Sequence, residues 1–273
     1  MQLTSMQEGL LFRYLQSETS QVYVEQLVLT IGGNPVPASI KEAWDFVVAS
    51  NELLRTVFRW EKMSQPVQIV LKQKQLDFTT VNVTNEDERN RFLKEDRKQG
   101  LDIKTAPFRV AIIQQENSPI EVVVTHHHIL YDGWSNGIII REFLSALEAI
   151  HSNGSNQLPI KPSFKELIRH HRESDTNAIE EYWKKSLAGI QASSQLPFQE
   201  INHSKELSKA QVSVTLSPEL EERLNQFLAT NQYTLATVVY SLWSLLLTRL
   251  TYSNDAVFGV VLSGRSSLRQ NMN

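Results

Sequence analysis

The sequence contains no cysteine among its 273 residues. Disulfide bridges, thiolate nucleophiles and cysteine-based zinc sites are therefore excluded. Neither sign of charge dominates, since 27 Lys and Arg residues stand against 30 Asp and Glu residues and the formal net charge is −3. A general nucleic-acid-binding protein would show an excess of basic residues, so no nucleic-acid partner is expected.

Long apolar runs are also missing. The longest uncharged apolar stretch, residues 235–247, is too short to span a bilayer and contains Thr, Ser and Tyr. The first ten residues, MQLTSMQEGL, lack the basic and apolar blocks of a signal peptide. These absences predict a cytoplasmic protein with no membrane partner.

Strand-like and helix-like segments alternate along the chain, which predicts an α/β fold rather than a helical bundle or a sandwich. The segments rich in β-formers are residues 23–31, 56–60, 67–71, 108–113, 120–130, 210–216 and 256–262. Helix signals begin at residues 5, 37 and 135, and cover 85–99, 217–230 and 234–251. A loop-like segment at 151–162 and a polar stretch after it suggest two lobes, residues 1–170 and 171–273. The second lobe has only two predicted strands, so its sheet is expected to be incomplete.

Three consecutive histidines, His126, His127 and His128, end the apolar run in the sequence THHHILYDGWS at 125–135. Successive strand residues face opposite sides, so His126 and His128 are expected on one face and His127 on the other. Asp132 follows in a turn that Gly133 is expected to permit.

The residues alone allow three interpretations of this stretch. The histidines could be core or surface residues with ordinary hydrogen-bond partners, or one of them could be a general base beside a cleft. A metal site is disfavoured, because adjacent strand histidines point apart and the sequence has no HExxH motif. No metal ligand is therefore expected, and the other two interpretations stay open.

The sequence from His127 to Gly133 resembles the HHxxxDG motif of nonribosomal peptide synthetase condensation domains and related chloramphenicol acetyltransferase-like acyltransferases. Further segments resemble family motifs in the same order along the chain: LTSMQEGLLF at 3–12 with YVEQ at 23–26, NELLRTVF at 51–58, and AVFGVVLSGR at 256–265. One departure is Ser50-Asn51, where the family usually has an Arg-His pair. The trailing Trp134-Ser135 resembles peptide-bond-forming subtypes more than the epimerization subtype.

The resemblance implies two chloramphenicol acetyltransferase-like lobes in a V, with the second lobe incomplete because the chain is expected to be C-terminally truncated. It implies amide formation between a donor aminoacyl or peptidyl thioester and an acceptor aminoacyl thioester. Both substrates would arrive on the phosphopantetheine arms of donor and acceptor carrier proteins, beside an adenylation domain of a megasynthase. The domain itself is expected to bind no cofactor.

The resemblance also implies roles for the motif residues. His128 is expected to be catalytic, either as general base or as a positioning hydrogen-bond acceptor. His127 is expected to be structural, and Gly133 to allow the turn and leave room for a substrate. Asp132 is expected to hold the loop through an ion pair with Arg55.

Three neighbouring residues are expected to line the substrate tunnel: Tyr131, Trp134 and Ser135. Burial as a core aromatic is an equal alternative for Trp134, and Ser135 is also a candidate N-cap of the following helix. Two rival functions remain. One is an ester-forming or free-standing acyltransferase of the same superfamily, and the other is a non-catalytic module that docks carrier proteins.

Overall fold

The computed structural model describes residues 1–17, 21–33, 35–152, 154, 161, 163–173, 176–190, 196 and 212–262. The chain divides into two compact units, Met1–Ser174 and Asp175–Asn273. Unit one contains helices α1 (Ser5–Gln16), α2 (Pro37–Ser50), α3 (Glu86–Gln99), α4 (Gly133–His151) and α5 (Phe164–Glu173), a 3-10 helix (Leu53–Arg55), and strands β1 (Val24–Ile31), β2 (Thr56–Arg59), β3 (Val67–Val70), β4 (Asp77–Val83), β5 (Phe108–Gln115) and β6 (Ile120–His127). Unit two contains helices α6 (Thr176–Ser186), α7 (Pro218–Asn231) and α8 (Leu235–Thr251).

The main sheet of unit one has the strand order β1-β6-β5-β4. β6 pairs antiparallel with both β1 and β5, whereas β4 pairs parallel with β5. Strands β2 and β3 form a separate antiparallel pair. Helices and a mixed sheet thus share one unit, as the alternating segments predicted.

The larger apolar core lies where α2 and α4 pack against the main sheet. Trp44 of α2 stacks on Phe143 of α4 with ring centroids 4.6 Å apart, and Phe108 of β5 lies 5.7 Å from the same indole. All three side chains are almost completely buried. Full burial of an aromatic side chain removes a large apolar area from water, so this trio anchors the two helices on the sheet.

On the other side of the sheet, helix α3 is held by a buried ion pair. Asp96 of α3 accepts a 2.7 Å hydrogen bond from Arg109 Nε of β5, and both residues are less than one-tenth exposed. Thr125 and Gln26 also donate to the Asp96 carboxylate, at 2.6 and 2.7 Å. A buried charge is stable only when paired and hydrogen-bonded, and this carboxylate meets both conditions.

Helix α1 connects the N-terminus to the histidine-bearing turn. Thr4 is its N-cap and forms a reciprocal capping box with Gln7. Gln7 is itself buried, and its Nε2 donates to Gln68 Oε1 at 3.2 Å and to the carbonyl of Ile129 at 3.3 Å. The amide of Gln7 therefore links α1, β3 and the turn after β6.

Several expected strands differ from the structure. β4 was not predicted from the sequence, and the strand expected over 120–130 ends at His127. The strands expected at 210–216 and 256–262 are wrong for the described parts, 212–216 and 256–262, which have no strand pairing. Extended segments become strands only when a neighbour accepts their backbone hydrogen bonds, and none does so within the described residues.

In unit two, α7 and α8 begin with Ser217 and Thr234 as N-caps, each accepting a backbone hydrogen bond in the first turn. Many apolar side chains on these helices are exposed, and Leu247 is the buried one on α8. By length and composition, no described helix could cross a membrane alone, although α7 and α8, bent by 105° at their junction, pass that test as a pair.

Candidate active site at the histidine turn

The chain reverses direction directly after β6, in a segment that we call the histidine turn, residues 126–133. The His128 N–H donates to the carbonyl of Tyr23 at 2.9 Å, and the Leu130 N–H donates to the carbonyl of His127 at 3.0 Å. The first bond fixes the end of β6 to the chain just before β1, and the second closes the turn. His128 is therefore held at the point where the strand stops.

His127 lies in the apolar interior, as expected for a residue with a structural role. Its side chain is fully buried, and its ring meets Tyr14 edge-on with centroids 5.4 Å apart. The Ile129 N–H donates to His127 Nδ1 at 3.1 Å, which places the ring proton on Nε2. Burial lowers the pKa of His127 to about 4, helped by the neighbouring His128 ring and opposed by the Val22 backbone.

His126 and His128 lie on the opposite face from His127, as the strand alternation predicted, and both face Glu25. His126 Nε2 is 3.1 Å from Glu25 Oε2, and His128 Nδ1 is 3.1 Å from Glu25 Oε1. Neither contact has the alignment of a hydrogen bond. The register of β1 and β6 explains the cluster, because Glu25 is directly opposite His126 in the antiparallel pair.

The three members of this cluster differ in exposure. His126 is 1% exposed, whereas the side chains of His128 and Glu25 are 32% and 41% exposed. Tyr131 covers His126, with the two rings stacked 4.1 Å apart. Burial is the main cause that lowers the pKa of His126 to about 3, with smaller contributions from the rings of His128 and His127. Of the three histidines, His128 is the one that solvent reaches.

Asp132 has a structural role that differs from the predicted one. It is the N-cap of α4, and its Oδ1 accepts the Ser135 N–H at 3.0 Å and the Ser135 hydroxyl at 2.7 Å. The helix therefore begins at Gly133 and not after Ser135. Gly133 has no positive φ, and a Cβ added there would meet no atom within 4 Å. The turn consequently does not require glycine, although open space beside Gly133 remains.

The expected ion pair between Arg55 and Asp132 is not among the salt bridges of the described residues. Arg55 instead donates from Nε to the carbonyl of Val48 at 3.2 Å, and from Nη1 to the carbonyls of Leu71 and Lys72. Its guanidinium thus ties α2 to the end of β3. A guanidinium has five N–H donors in a rigid plane, so it can donate to several backbone carbonyls at once. Arg55 uses its donors in this way.

The three residues expected to line a tunnel are in different environments. Trp134 is 70% exposed, so its alternative as a core aromatic is wrong. Ser135 is half-buried at the first turn of α4, and Tyr131 is buried against His126. Contact of any of the three with a substrate stays a prediction.

The sequence alone does not assign two residues of the site, Glu25 and Gln7. Glu25 belongs to the segment YVEQ, and its signal is a carboxylate inside a run of β-formers. Gln7 supports the histidine turn through the Ile129 carbonyl, and its signal was the position of a polar residue on the apolar side of α1.

The lowered pKa values of His126 and His127 predict acid sensitivity. Below pH 6.5 the unfolded chain binds protons on both rings, whereas the folded chain binds them only near pH 3 to 4. The free energy of unfolding should therefore fall as pH drops from 6.5 to 5, by up to about 1.4 kcal/mol per pH unit for each histidine. Urea unfolding at several pH values measures this slope.

A matched pair of variants isolates the buried ring. His127→Phe removes a buried histidine, whereas His151→Ala removes an exposed one at the end of α4. The slope between pH 6.5 and 5 should shrink in the first variant and persist in the second. Equal pH dependence of the free energy of unfolding in both variants would contradict a lowered pKa of His127.

Comparison with known proteins identifies proteins that are similar to this chain. Bacitracin synthase 3 of Bacillus licheniformis is 32% identical over 273 residues, which are 97% of this chain and 4% of the synthase. The epimerization domain from the third module of tyrocidine synthetase B has a TM-score of 0.79 at 18% identity, covering 93% of this chain and 60% of that one. The first condensation domain of the CDA synthetase has a TM-score of 0.70 at 17% identity, covering 92% and 62%.

The solved structures show that the mixed α/β fold is that of condensation-type domains. This chain spans less than two thirds of the length of either solved chain and a small fraction of the synthase. The family model for the condensation domain matches residues 1–272, including the whole histidine turn. The chain therefore belongs to the condensation domain family of nonribosomal peptide synthetases.

Proposed function

We propose that this chain catalyses amide-bond formation between two carrier-bound substrates, with His128 as the catalytic residue. The observation that carries the proposal is the position of His128: a half-buried imidazole at the end of β6, inside an HHxxxDG sequence, with Nδ1 beside the Glu25 carboxylate. His126 and His127 are buried, so neither competes with His128 for a substrate.

The chemistry requires a proton acceptor near the attacking amine. The acceptor amine loses a proton as it attacks the donor thioester, and a neutral imidazole accepts or positions that proton. A proton on Nδ1 facing Glu25 leaves the Nε2 lone pair of His128 for the amine. The contact of 3.1 Å is close enough to become a hydrogen bond, and such bonds often align only when substrate binds.

The substrates in this proposal are a donor aminoacyl or peptidyl thioester and an acceptor aminoacyl thioester. Each is attached to the phosphopantetheine of a carrier protein, and an adenylation domain of the same megasynthase supplies the acyl groups. Membership of the family supports these partners, since the relatives are large peptide synthases. A fold of two chloramphenicol acetyltransferase-like lobes is part of the same proposal.

The test is a condensation assay with two loaded carrier proteins, followed by mass spectrometry of the acceptor carrier. An acceptor bearing an amine should gain the donor acyl group, whereas a matched acceptor bearing a hydroxyl in place of the amine should not. Transfer to the hydroxyl acceptor alone would favour the ester-forming alternative. Binding of both carriers without any transfer would leave a docking module.

Glu25 is a positioning residue in this proposal. Glu25→Ala removes the acceptor for Nδ1–H, so the other tautomer of His128 becomes populated and the condensation rate should fall roughly 10- to 100-fold, less than on loss of the imidazole. Glu25→Gln retains an acceptor oxygen and should recover most of the rate. Single-turnover kinetics at saturating carrier concentration measures the effect.

A merely structural role for Glu25 predicts a different pattern. Both variants would then lose thermal stability together, and glutamine would restore no rate. Equal rates for Glu25→Ala and the parent chain would show that the carboxylate does not act through His128.

A further inference from the structure

We propose that Glu25, His126 and His128 form a binding site for a divalent transition-metal ion such as Zn²⁺. His126 would ligate through Nε2, His128 through Nδ1 and Glu25 through its carboxylate. One ligand atom from each residue lies within 4.8 Å of the other two. His126 Nε2 lies 3.1 Å from Glu25 Oε2 and His128 Nδ1 lies 3.1 Å from Glu25 Oε1, so each imidazole contacts a different oxygen of the carboxylate. Both distances are close to the separation of about 3.3 Å between ligand atoms in tetrahedral zinc sites with bonds of 2.0–2.1 Å.

The buried ring of His126 is an independent indication of a ligand. The His126 side chain is only 1% exposed, and neither of its ring nitrogens has a hydrogen-bond partner among the described residues. His128 Nδ1 is also without one in the described part of the chain. An unpaired buried polar group typically costs about 1–3 kcal/mol. A metal ion would accept the lone pairs of His126 Nε2 and His128 Nδ1 at once and remove this cost for these two atoms.

The donor set selects the class of metal. Two imidazoles and one carboxylate suit Zn²⁺ and related ions, whereas Mg²⁺ and Ca²⁺ prefer all-oxygen sites. His128 and Glu25 are partly exposed, so an ion can enter and a fourth position stays open to water. Arg97 lines the same cleft as Glu25 and His126, and its positive charge should weaken the binding of a dication.

The sequence disfavoured a metal site because adjacent strand histidines point apart, but the ligands here are not adjacent. Adjacent strand histidines do point apart, as His126 and His127 show. His126 and His128 are two residues apart, however, and the third ligand comes from the neighbouring strand β1. A pattern search within one short segment cannot find such a site, because β1 and β6 are far apart in sequence.

Metal binding would block the proposed catalytic role of His128, and this consequence rests on the proposed function. A metal ion on Nδ1 holds the ring proton on Nε2, so the nitrogen that should accept the amine proton becomes a donor. Zn²⁺ should therefore inhibit condensation reversibly, and EDTA should restore it. Metal binding itself is measured without carriers, so its failure is separable from failure of the enzymatic proposal.

The binding test uses the full chain after removal of metals with EDTA. Calorimetric titration with Zn²⁺ at pH 7 should show one saturable site that Mg²⁺ does not occupy. Co²⁺ should give the visible absorption of a low-symmetry N/O site. Glu25→Ala and His126→Ala should each weaken Zn²⁺ binding by at least about 10-fold, since each removes one ligand, whereas His151→Ala should leave it unchanged.

Nitrogen-15 NMR of the parent chain keeps the proposal testable if a variant fails to fold. Zn²⁺ should shift Nε2 of His126 and Nδ1 of His128, with no direct ligation shift at His127. Absence of these shifts, or equal affinity in the parent and both ligand variants, would overturn the site and assign any binding to adventitious histidines.

Discussion

Replacing His128 by alanine is expected to lower the rate of amide formation by roughly two to four orders of magnitude, the contribution typical of a positioned general base or acceptor. The ring is 32% exposed at a strand end, so its removal leaves no large cavity in the core. The variant should fold with nearly unchanged stability. Mass spectrometry of the acceptor carrier, with both carriers loaded, measures the product.

The matched control for His128→Ala is its neighbour in the motif. His127→Ala empties a fully buried position between Tyr14 and the histidine turn, so it should lower stability and soluble yield. His151→Ala should change neither rate nor stability. Product formation by His128→Ala at the parent rate would remove His128 from the mechanism.

Replacing Asp96 by asparagine is expected to lower the free energy of unfolding by about 3–5 kcal/mol, because it leaves the buried guanidinium of Arg109 without a counter-charge. Asparagine keeps the volume of the side chain, so the loss reports the charge. The four hydrogen bonds that join Asp96 to Arg109, Thr125 and Gln26 lie between α3 and the sheet. Urea unfolding measures the change.

Two comparisons sharpen the Asp96 prediction. Asp45→Asn breaks the exposed pair of Lys41 and Asp45 on α2 and should cost less than about 1 kcal/mol. The double variant Asp96→Leu with Arg109→Met should lose less stability than the sum of the single variants, since no charge is then left alone. If the stability losses of the two single variants added up to that of the double variant, Asp96 and Arg109 would not be coupled. Equal losses of stability for Asp96→Asn and Asp45→Asn would lead to the same conclusion.

The sequence predicted the helices and strands whose apolar residues recur at regular spacing. Whether the other segments form helices or strands depends on tertiary contacts. α2 begins at Pro37 and β1 covers 24–31, both close to expectation. β4 was missed because DFTTVNV mixes polar and apolar residues, as befits an edge strand with mostly exposed side chains. Val212 and Val214 have a strand-like pattern, but they are over 80% exposed and pair with nothing described.

For the candidate site, the sequence identified the motif but not its partners. Alternation along β6 correctly separated His127 from His126 and His128. The predicted partner of Arg55, Asp132, was wrong, because the guanidinium donates to backbone carbonyls. Every residue has a backbone carbonyl, so the sequence does not indicate which ones Arg55 contacts. Glu25 could not be assigned to the histidines without the register of two strands that lie far apart in sequence.

The register between β1 and β6 has a practical consequence for recombining such domains. Glu25 faces His126 only while Val24 stays opposite His127, and a shift of one residue would turn the carboxylate to the other side of the sheet. A chimera can be joined at a crossover point between these strands, so that β1 and β6 come from different parents. Such a chimera can keep an intact HHxxxDG motif but lose the carboxylate beside it. Chimeras should inherit both strands from one parent, or carry a glutamate restored at that position.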